Sequence, residues 1–156
     1  MSPFEEYLHA VIERARLEAH EDGSPAAEAH HLLLAVAAEP DPAVRPVLDA
    51  AGLDRKAVHA ALRREYEHSL SVVGVDLASF DLAPPVRTPL RSIRIGATAK
   101  QVLQRGFTTS RKKDLRPGHI LLGILQIEAG TVPRALALAG VDRSALAGEM
   151  SRTLAA

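Results

Sequence analysis

Histidine offers the widest range of chemistry in this chain, because neutral imidazole ligates metals and its proton titrates near neutral pH. The sequence has no cysteine and seven histidines, at positions 9, 20, 30, 31, 59, 68 and 119. His30 and His31 are adjacent, and neighbouring side chains on a helix point about 100° apart, so these two are not expected to converge on one ion. We therefore predict no metal site and no cofactor. His31 and His119 are interpreted as structural residues that bond to backbone or to a neighbouring loop at a helix start.

Catalytic motifs are also missing from the sequence. It contains no nucleophile elbow, no zinc-protease motif and no glycine-rich phosphate loop. The acidic pair Glu5-Glu6 is explained by the favourable position of negative charge at a helix N-terminus. We predict that the protein is not an enzyme.

Charge and hydropathy exclude several classes of partner. Nineteen basic residues balance nineteen acidic ones, so the chain lacks the cationic field that drives binding to nucleic acid or anionic lipid. No run of eighteen apolar residues occurs, and the polar segment 1–6 does not resemble a signal peptide. These features predict a cytoplasmic protein that binds neither nucleic acid nor membrane.

An internal repeat is the strongest architectural signal. Shifting the sequence by 88 residues aligns positions 31–66 with 119–154 without a gap, and eleven of the 36 pairs are identical. Aromatic residues make up only 3% of the chain, while alanine, leucine and valine are abundant, which favours helix packing over a sheet.

Capping residues and apolar spacing predict four helices in each copy. In the first copy they run from Ser2-Pro3 to about His20, from Ser24-Pro25 through the apolar run at 32–36, from Asp41-Pro42 to Gly52, and from Asp54 to about Ser69. In the second copy they run from Ala99 to near Thr109, from Arg116-Pro117 to Gly130, from Thr131 to Gly140, and onward from Asp142.

We predict an all-α fold, an eight-helix bundle of two pseudo-symmetric four-helix repeats that form a single domain over residues 1–156. Repeat one covers about 2–69 and repeat two about 95–155. Between them, 71–94 is a linker with Pro84-Pro85 and no helical period after Phe80. Its first part, 70–80, is similar to the Leu-x-x-x-Gly-Val-Asp phrase at 136–142, which is consistent with a short docked helix or a turn.

The residues at the centre of each copy carry a family resemblance. His-His-Leu-Leu-Leu-Ala-Val at 30–36 and Gly-His-Ile-Leu-Leu-Gly-Ile-Leu at 118–125 resemble the Thr-Glu-His-Ile-Leu-Leu-Gly-Leu signature of Clp N-terminal repeats. Ala-Lys-Gln-Val-Leu at 99–103 is similar to the family's Ala-Lys-Lys-Val-Leu. The resemblance covers both repeats and is closest to a free-standing Clp N domain of the kind found in high-GC bacteria.

The resemblance implies a non-catalytic docking platform for adaptors, degradation substrates or unfoldase and protease components of a Clp system. Its hydrophobic surface would lie between the first helices of the two repeats. Carried onto this sequence, that surface comprises His9, Ile12 and Arg16 in repeat one and Ile95, Lys100 and Leu103 in repeat two. Such a set predicts an apolar floor with a basic rim, although Ile12 and Leu103 also fit a purely structural place in the core.

Two departures from the family pattern bear on the ligand. In related domains the glutamate before the signature histidine helps to recognise a phosphorylated arginine, and here His30 and Gly118 occupy those positions. Glu28 lies two residues away, about 200° around a helix, and is not expected to substitute. The family's phenylalanine before the second repeat is Ile95, which lacks a stacking ring. The sequence thus predicts a retained scaffold with an altered ligand.

Two other interpretations remain open at this stage. The same surface could sequester cyclic-peptide antibiotics directed at Clp proteins. The basic cluster of Arg111, Lys112 and Lys113, with Arg105 and Arg116 nearby, is either a solvated loop or a surface for an acidic partner.

Overall fold

The computed structural model describes residues 1–39, 41–80 and 86–156. Pro84-Pro85 of the predicted linker lie outside the described residues. Within the described residues the fold is all-α, with eight helices arranged as two four-helix repeats. The first repeat contains α1 (Pro3–Asp22), α2 (Ala29–Ala38), α3 (Arg45–Ala50) and α4 (Arg55–Val72). The second contains α5 (Ala97–Thr108), α6 (Pro117–Leu125), α7 (Thr131–Leu138) and α8 (Arg143–Ala155).

Local capping explains why several helices begin where they do. The Ser2 hydroxyl accepts a hydrogen bond from the Glu5 backbone N–H, and the Ser2 backbone N–H donates to the Glu5 carboxylate, which completes a capping box at α1. Asp54 caps α4 through the Ala57 N–H, and Asp142 caps α8 through the Ala145 N–H. The last two caps are 88 residues apart, so the same local signal starts the fourth helix of each repeat.

Two two-residue strands join the repeats beside α2 and α5. β1 (Ala26–Ala27) pairs in parallel with β2 (Arg94–Ile95), with Ala26 opposite Arg94 and Ala27 opposite Ile95. The Gly96 N–H continues the ladder by donating to the Ala27 carbonyl at 2.8 Å. This pairing fixes the chain just ahead of α5 against the chain just ahead of α2.

The core lies around α2 and α6, whose described residues are almost all buried. Leu32 and Leu33 of α2, and Ile120 and Leu121 of α6, are at most 1% exposed. The other helices cover this central pair, which accounts for the nearly continuous apolar runs in the two signature segments.

Some predicted boundaries are wrong. The second helix begins at Ala29 and not at Ser24-Pro25, because β1 occupies the intervening positions. The third begins at Arg45, after a turn in which Asp41 accepts from the Ala43 N–H. The sixth ends at Leu125, short of Gly130, and Arg143 donates to the carbonyls of Leu125 and Ile127 beyond its last turn.

The segment between the repeats contains more structure than the sequence indicates. α4 continues to Val72, and single 3₁₀ turns occur at Leu77–Ser79 and Leu90–Ser92. The turn at Leu77–Ser79 falls where a short helix or turn was predicted. The limits of the repeats and of the linker as domain divisions stay predictions. Among the described residues, no helix combines the length and the apolarity needed to cross a membrane.

Candidate peptide-binding groove

The first helices of the two repeats run in opposite directions across one surface. Near one end, the rings of Phe4 and Phe107 meet edge to face with centroids 5.5 Å apart. Near the other, the Arg16 guanidinium donates to the Ile93 carbonyl at 2.9 Å. Phe4 opens α1 while Phe107 closes α5, and Ile93 precedes α5, so the two helices are antiparallel. The surface between these contacts is called the α1/α5 groove here.

The predicted ligand residues lie along this groove and differ in exposure. Ile12, Ile95 and Leu103 are half-buried, and Ile95 and Leu103 pack against the hydrophobic core. His9 and Lys100 are exposed. In the parts of the chain that the structure describes, no side-chain hydrogen bond or ion pair joins two of the six predicted residues. The structure places three of them on α1, two on α5 and Ile95 in β2, and it does not assemble them into a closed site, so their role in binding stays a prediction.

Arg16 is not free to act as a rim residue. Besides Ile93, its guanidinium donates to the Leu90 carbonyl at 2.9 Å, and it pairs with Glu13 at 3.0 Å. One helical turn further along α1, His20 Nδ1 lies 2.7 Å from the Thr88 carbonyl. Residues 87–93, called the strap from here on, thus lie against the C-terminal half of α1.

No sequence pattern indicates the strap directly. It has no helical period, and its contacts with α1 run mostly through backbone carbonyls, which leave no side-chain pattern to detect. The available signal was Arg16 itself, a cation on the same helical stripe as Ile12.

The signature histidines have the same structural role in both repeats. The Glu28 N–H donates to His31 Nδ1 at 2.9 Å, and the Arg116 N–H donates to His119 Nδ1 at 2.9 Å. His31 Nε2 lies 2.7 Å from Asp22, and His119 Nε2 lies 3.1 Å from Ser110. Each partner precedes its histidine by nine residues, so each imidazole ties the start of one helix to the end of the helix before it. The prediction that both histidines are structural is confirmed.

This geometry also fixes the proton on each ring. Because Nδ1 accepts from a backbone N–H, the neutral imidazole carries its proton on Nε2. His119 Nε2 therefore donates to the Ser110 hydroxyl and does not accept its proton, which is the opposite of a nucleophile–base pair.

Asp22, His30 and His31 form a cluster that was not predicted from the sequence. Their ligand-type atoms all lie within 4.8 Å of one another, and the two imidazole centroids are 4.0 Å apart. The prediction that adjacent histidines would not converge is wrong, because the two imidazoles lie against each other, with their planes 39° apart, and His31 Nε2 contacts Asp22. His31 is nevertheless a poor ligand, since a metal on Nε2 would move the proton to Nδ1, where it would face the Glu28 N–H.

Electrostatics in this cluster favour charged Asp22 and neutral His30. Burial tends to raise the pKa of Asp22, but hydrogen bonds from His31 and Ser24 hold it below its ordinary value. Burial, with a smaller contribution from His31, lowers the pKa of His30 to about 4. His30 is thus uncharged at neutral pH.

The two positions that replace the family's glutamates have different surroundings. His30 lines a cavity of about 110 Å³ between the repeats, together with Glu28 and Thr98. Gly118 is buried, and a Cβ there would lie 2.6 Å from Met150 and 2.9 Å from Leu154. The second position is therefore closed off by α8.

The Glu28 carboxylate lies at the N-terminus of α5. A Cβ built on Gly96 would coincide with the Glu28 carboxylate, so the carboxylate packs directly against the residue that precedes α5. Its Oε1 is buried without a hydrogen-bond partner. Since Gly96 has no side chain with which to cap α5, negative charge from Glu28 complements the positive end of the helix dipole.

A second cavity of about 320 Å³ lies beside α6 and α8, lined in part by Ser110, Arg116 and His119. Neither cavity is lined by any of the six predicted ligand residues. Arg116, one residue of the predicted basic cluster, donates to the Leu154 carbonyl, and Arg111 pairs with Asp114 at 2.8 Å. Part of that cluster is therefore engaged within the chain.

Comparisons with known proteins agree with this architecture. The sequence profile of the Clp repeat (R) N-terminal domain matches residues 3–111. The N-terminal domain of the caseinolytic protease associated chaperone ClpD from Arabidopsis thaliana superposes with a TM-score of 0.65 at 22% identity, covering 97% of this chain and 96% of that one. At this identity the likeness shows the fold alone. No curated protein sequence matches the chain.

The protein belongs to the Clp N-terminal repeat family, since the profile matches well over half of its residues. Clp N-terminal domains are non-catalytic interaction domains and typically serve Clp unfoldases as protein-interaction modules.

Proposed function

We propose that this protein is a non-catalytic docking module that binds adaptors, degradation substrates or unfoldase and protease components of a Clp system. The observation that carries the proposal is a Clp N-terminal fold whose α1/α5 groove presents half-buried Ile12, Ile95 and Leu103 beside exposed Lys100. A mixed surface of this kind suits a peptide with apolar anchors and an acidic group that faces Lys100 on the α5 side, whereas Glu13 and Glu21 on the α1 side favour a basic group there.

The test is calorimetry or pull-down with the Clp unfoldase and protease components of the host. Binding is expected to weaken in Lys100→Glu, because the substitution reverses an exposed rim charge without disturbing the core. Lys56→Glu on α4 is a matched control, since that lysine is also exposed but lies outside the groove. Absence of binding to every component, or equal loss in both variants, would contradict the proposal.

A second candidate function is the sequestration of cyclic-peptide antibiotics directed at Clp proteins. It is favoured by the partly exposed apolar side chains of Ile12, Ile95 and Leu103. Such peptides should raise the melting temperature in a thermal-shift screen, and the shift should vanish in Ile95→Asp or Leu103→Asp variants that remain folded. Unchanged melting with every peptide would eliminate this function.

A further inference from the structure

The contacts between the strap and α1 are of an unusual kind for a loop packed on a helix. Two side chains of α1, one turn apart, donate to three strap carbonyls: Arg16 to Leu90 and Ile93, and His20 to Thr88. Arg87 adds an ion pair to Glu21 at 2.9 Å. Apart from the Arg87 ion pair, these contacts are hydrogen bonds to the backbone of the strap and do not involve its side chains.

The strap is held firmly only at its C-terminal end. Ile93 is 2% exposed and belongs to the core, whereas Leu90 is 40% exposed and the side chains of the Arg87–Glu21 pair are each about half exposed. Exposed ion pairs contribute little stability, and segments with few buried apolar contacts open at low free-energy cost. Residues 87–92 can therefore leave α1 while Ile93 stays in place.

The donors that hold the strap would hold other peptide segments equally well. A carbonyl in an extended segment or a turn can accept from Arg16 or His20, as the Leu90 carbonyl does while it also accepts from the Ile93 N–H in its 3₁₀ turn. Carbonyls inside an α-helix point along the helix axis and accept from their own helix, so the segment that fits is not α-helical. Glu13 and Glu21 lie next to these donors on α1 and disfavour an anionic occupant. The occupant that fits is a non-helical peptide segment with a basic side chain opposite Glu21.

We propose that the α1 face formed by Ile12, Arg16 and His20 binds a non-helical, basic peptide segment of a partner protein, and that the strap occupies this face until the partner displaces it. The inference rests on the proposed function in one respect, since it specifies the conformation of the partner and the regulation of the same groove. Arg16 keeps its bond to the Ile93 carbonyl, and binding exchanges the carbonyls of Thr88 and Leu90 for carbonyls of the partner segment.

The experiment uses the strap's own sequence as the probe. A fluorescently labelled peptide of residues 86–93, Val-Arg-Thr-Pro-Leu-Arg-Ser-Ile, is titrated with the full chain and binding is followed by fluorescence anisotropy. In Arg87→Glu the tethered strap is repelled by Glu21 while the α1 face is unchanged. The affinity for the peptide should rise about threefold to tenfold over the unmodified chain.

Matched variants separate this effect from a general change of charge. Arg91→Glu reverses another exposed arginine of the strap and should leave the affinity unchanged. Adding Arg16→Ala to Arg87→Glu should abolish binding, and adding His20→Ala should weaken it, with circular dichroism showing that each variant is folded. Equal affinity of the unmodified chain and Arg87→Glu, retained binding without Arg16, or no binding to any variant would each overturn the inference.

The outcome does not depend on any Clp component. If the peptide behaves as expected but no Clp component binds, the proposed function fails and the exchange at α1 stands. If Clp components bind and the peptide affinity is the same in every variant, the strap inference fails alone.

Discussion

Burial has a larger effect on the pKa of His30 than any nearby charge. Burial and the neighbouring His31 lower its pKa, whereas Asp22 and Glu65 act in the opposite direction, and the result is a value of about 4 against an ordinary value of 6.5. Between these two values the unfolded chain binds a proton that the folded chain does not. Stability attributable to His30 is therefore complete above about pH 6.5 and is lost as the pH falls towards 4.

This sign gives a testable pH dependence. The free energy of unfolding should fall by roughly 1–3 kcal/mol between pH 7 and pH 4 through His30 alone. Urea unfolding across this range should show a shallower slope in His30→Gln than in the unmodified chain. His59→Gln, at an exposed histidine of α4, should leave the slope unchanged. An identical slope in all three proteins would contradict the assignment.

Asp22 acts in a different pH range from His30. Its pKa is held below its ordinary value of 3.8, so the stability it contributes is present above that value and is lost as the pH falls through its lower folded pKa. The sequence could identify His31 as structural from its equivalence with His119. It could not identify Asp22 as the partner, because that contact depends on how the chain bends between α1 and α2.

At the scale of elements, α5 and α6 pack more closely than any side chain would allow at their contact. A Cβ on Gly106 would lie 2.4 Å from the His119 carbonyl, and a Cβ on Gly123 would lie 2.4 Å from the Val102 carbonyl. The equivalent positions in the first repeat are Glu18 and Ala35. The corresponding helix contact in that repeat therefore accommodates side chains where the second repeat has glycine. In repeat one, Glu18 is buried and pairs with Arg14 and Arg55.

Gly106→Ala and Gly123→Ala should each destabilise the protein by about 2–4 kcal/mol, because a methyl group would press on a backbone carbonyl that cannot move independently. Gly148→Ala on α8 is the control, since its nearest neighbour is the flexible Arg152 side chain at 3.6 Å. That substitution should be neutral or stabilise by up to about 1 kcal/mol through helix propensity. Thermal and urea unfolding would measure both effects, and equal stability of all three variants would refute the close-packing argument.

Across the whole molecule, within residues 1–39, 41–80 and 86–156, one ion pair links a helix of the first repeat to a helix of the second. Glu65 of α4 is buried, accepts a hydrogen bond from Ser69 at 2.7 Å, and pairs with Arg134 of α7 at 2.9 Å. Arg134 is more than half exposed, so solvent screening limits the strength of the pair itself. The pair matters because the Arg134 guanidinium offsets the cost of burying the Glu65 carboxylate.

Arg134→Ala should therefore lower the free energy of unfolding by about 1–3 kcal/mol, because it leaves Glu65 buried with only a hydroxyl partner. Replacing both residues, as in Glu65→Met with Arg134→Ala, should recover much of this loss. Arg63→Ala removes a pair with Glu67 in which both side chains are exposed, and it should change stability by less than about 0.5 kcal/mol. A double variant no more stable than Arg134→Ala would contradict this account.

The sequence alone was enough to identify the repeat, the helical class and the family. The caps at Asp54 and Asp142 and the two apolar signature segments are local patterns, and they recur at an offset of 88 residues. It also predicted six groove residues, of which five lie on α1 and α5 and the sixth, Ile95, lies in β2. Three contacts are visible only in the three-dimensional structure. Arg16 donates to carbonyls of the strap, the Glu28 carboxylate packs against Gly96 ahead of α5, and Glu65 forms an ion pair with Arg134. These contacts join residues about 70 positions apart, mostly through backbone atoms or across the repeat interface, and neither helical periodicity nor residue type records such distances.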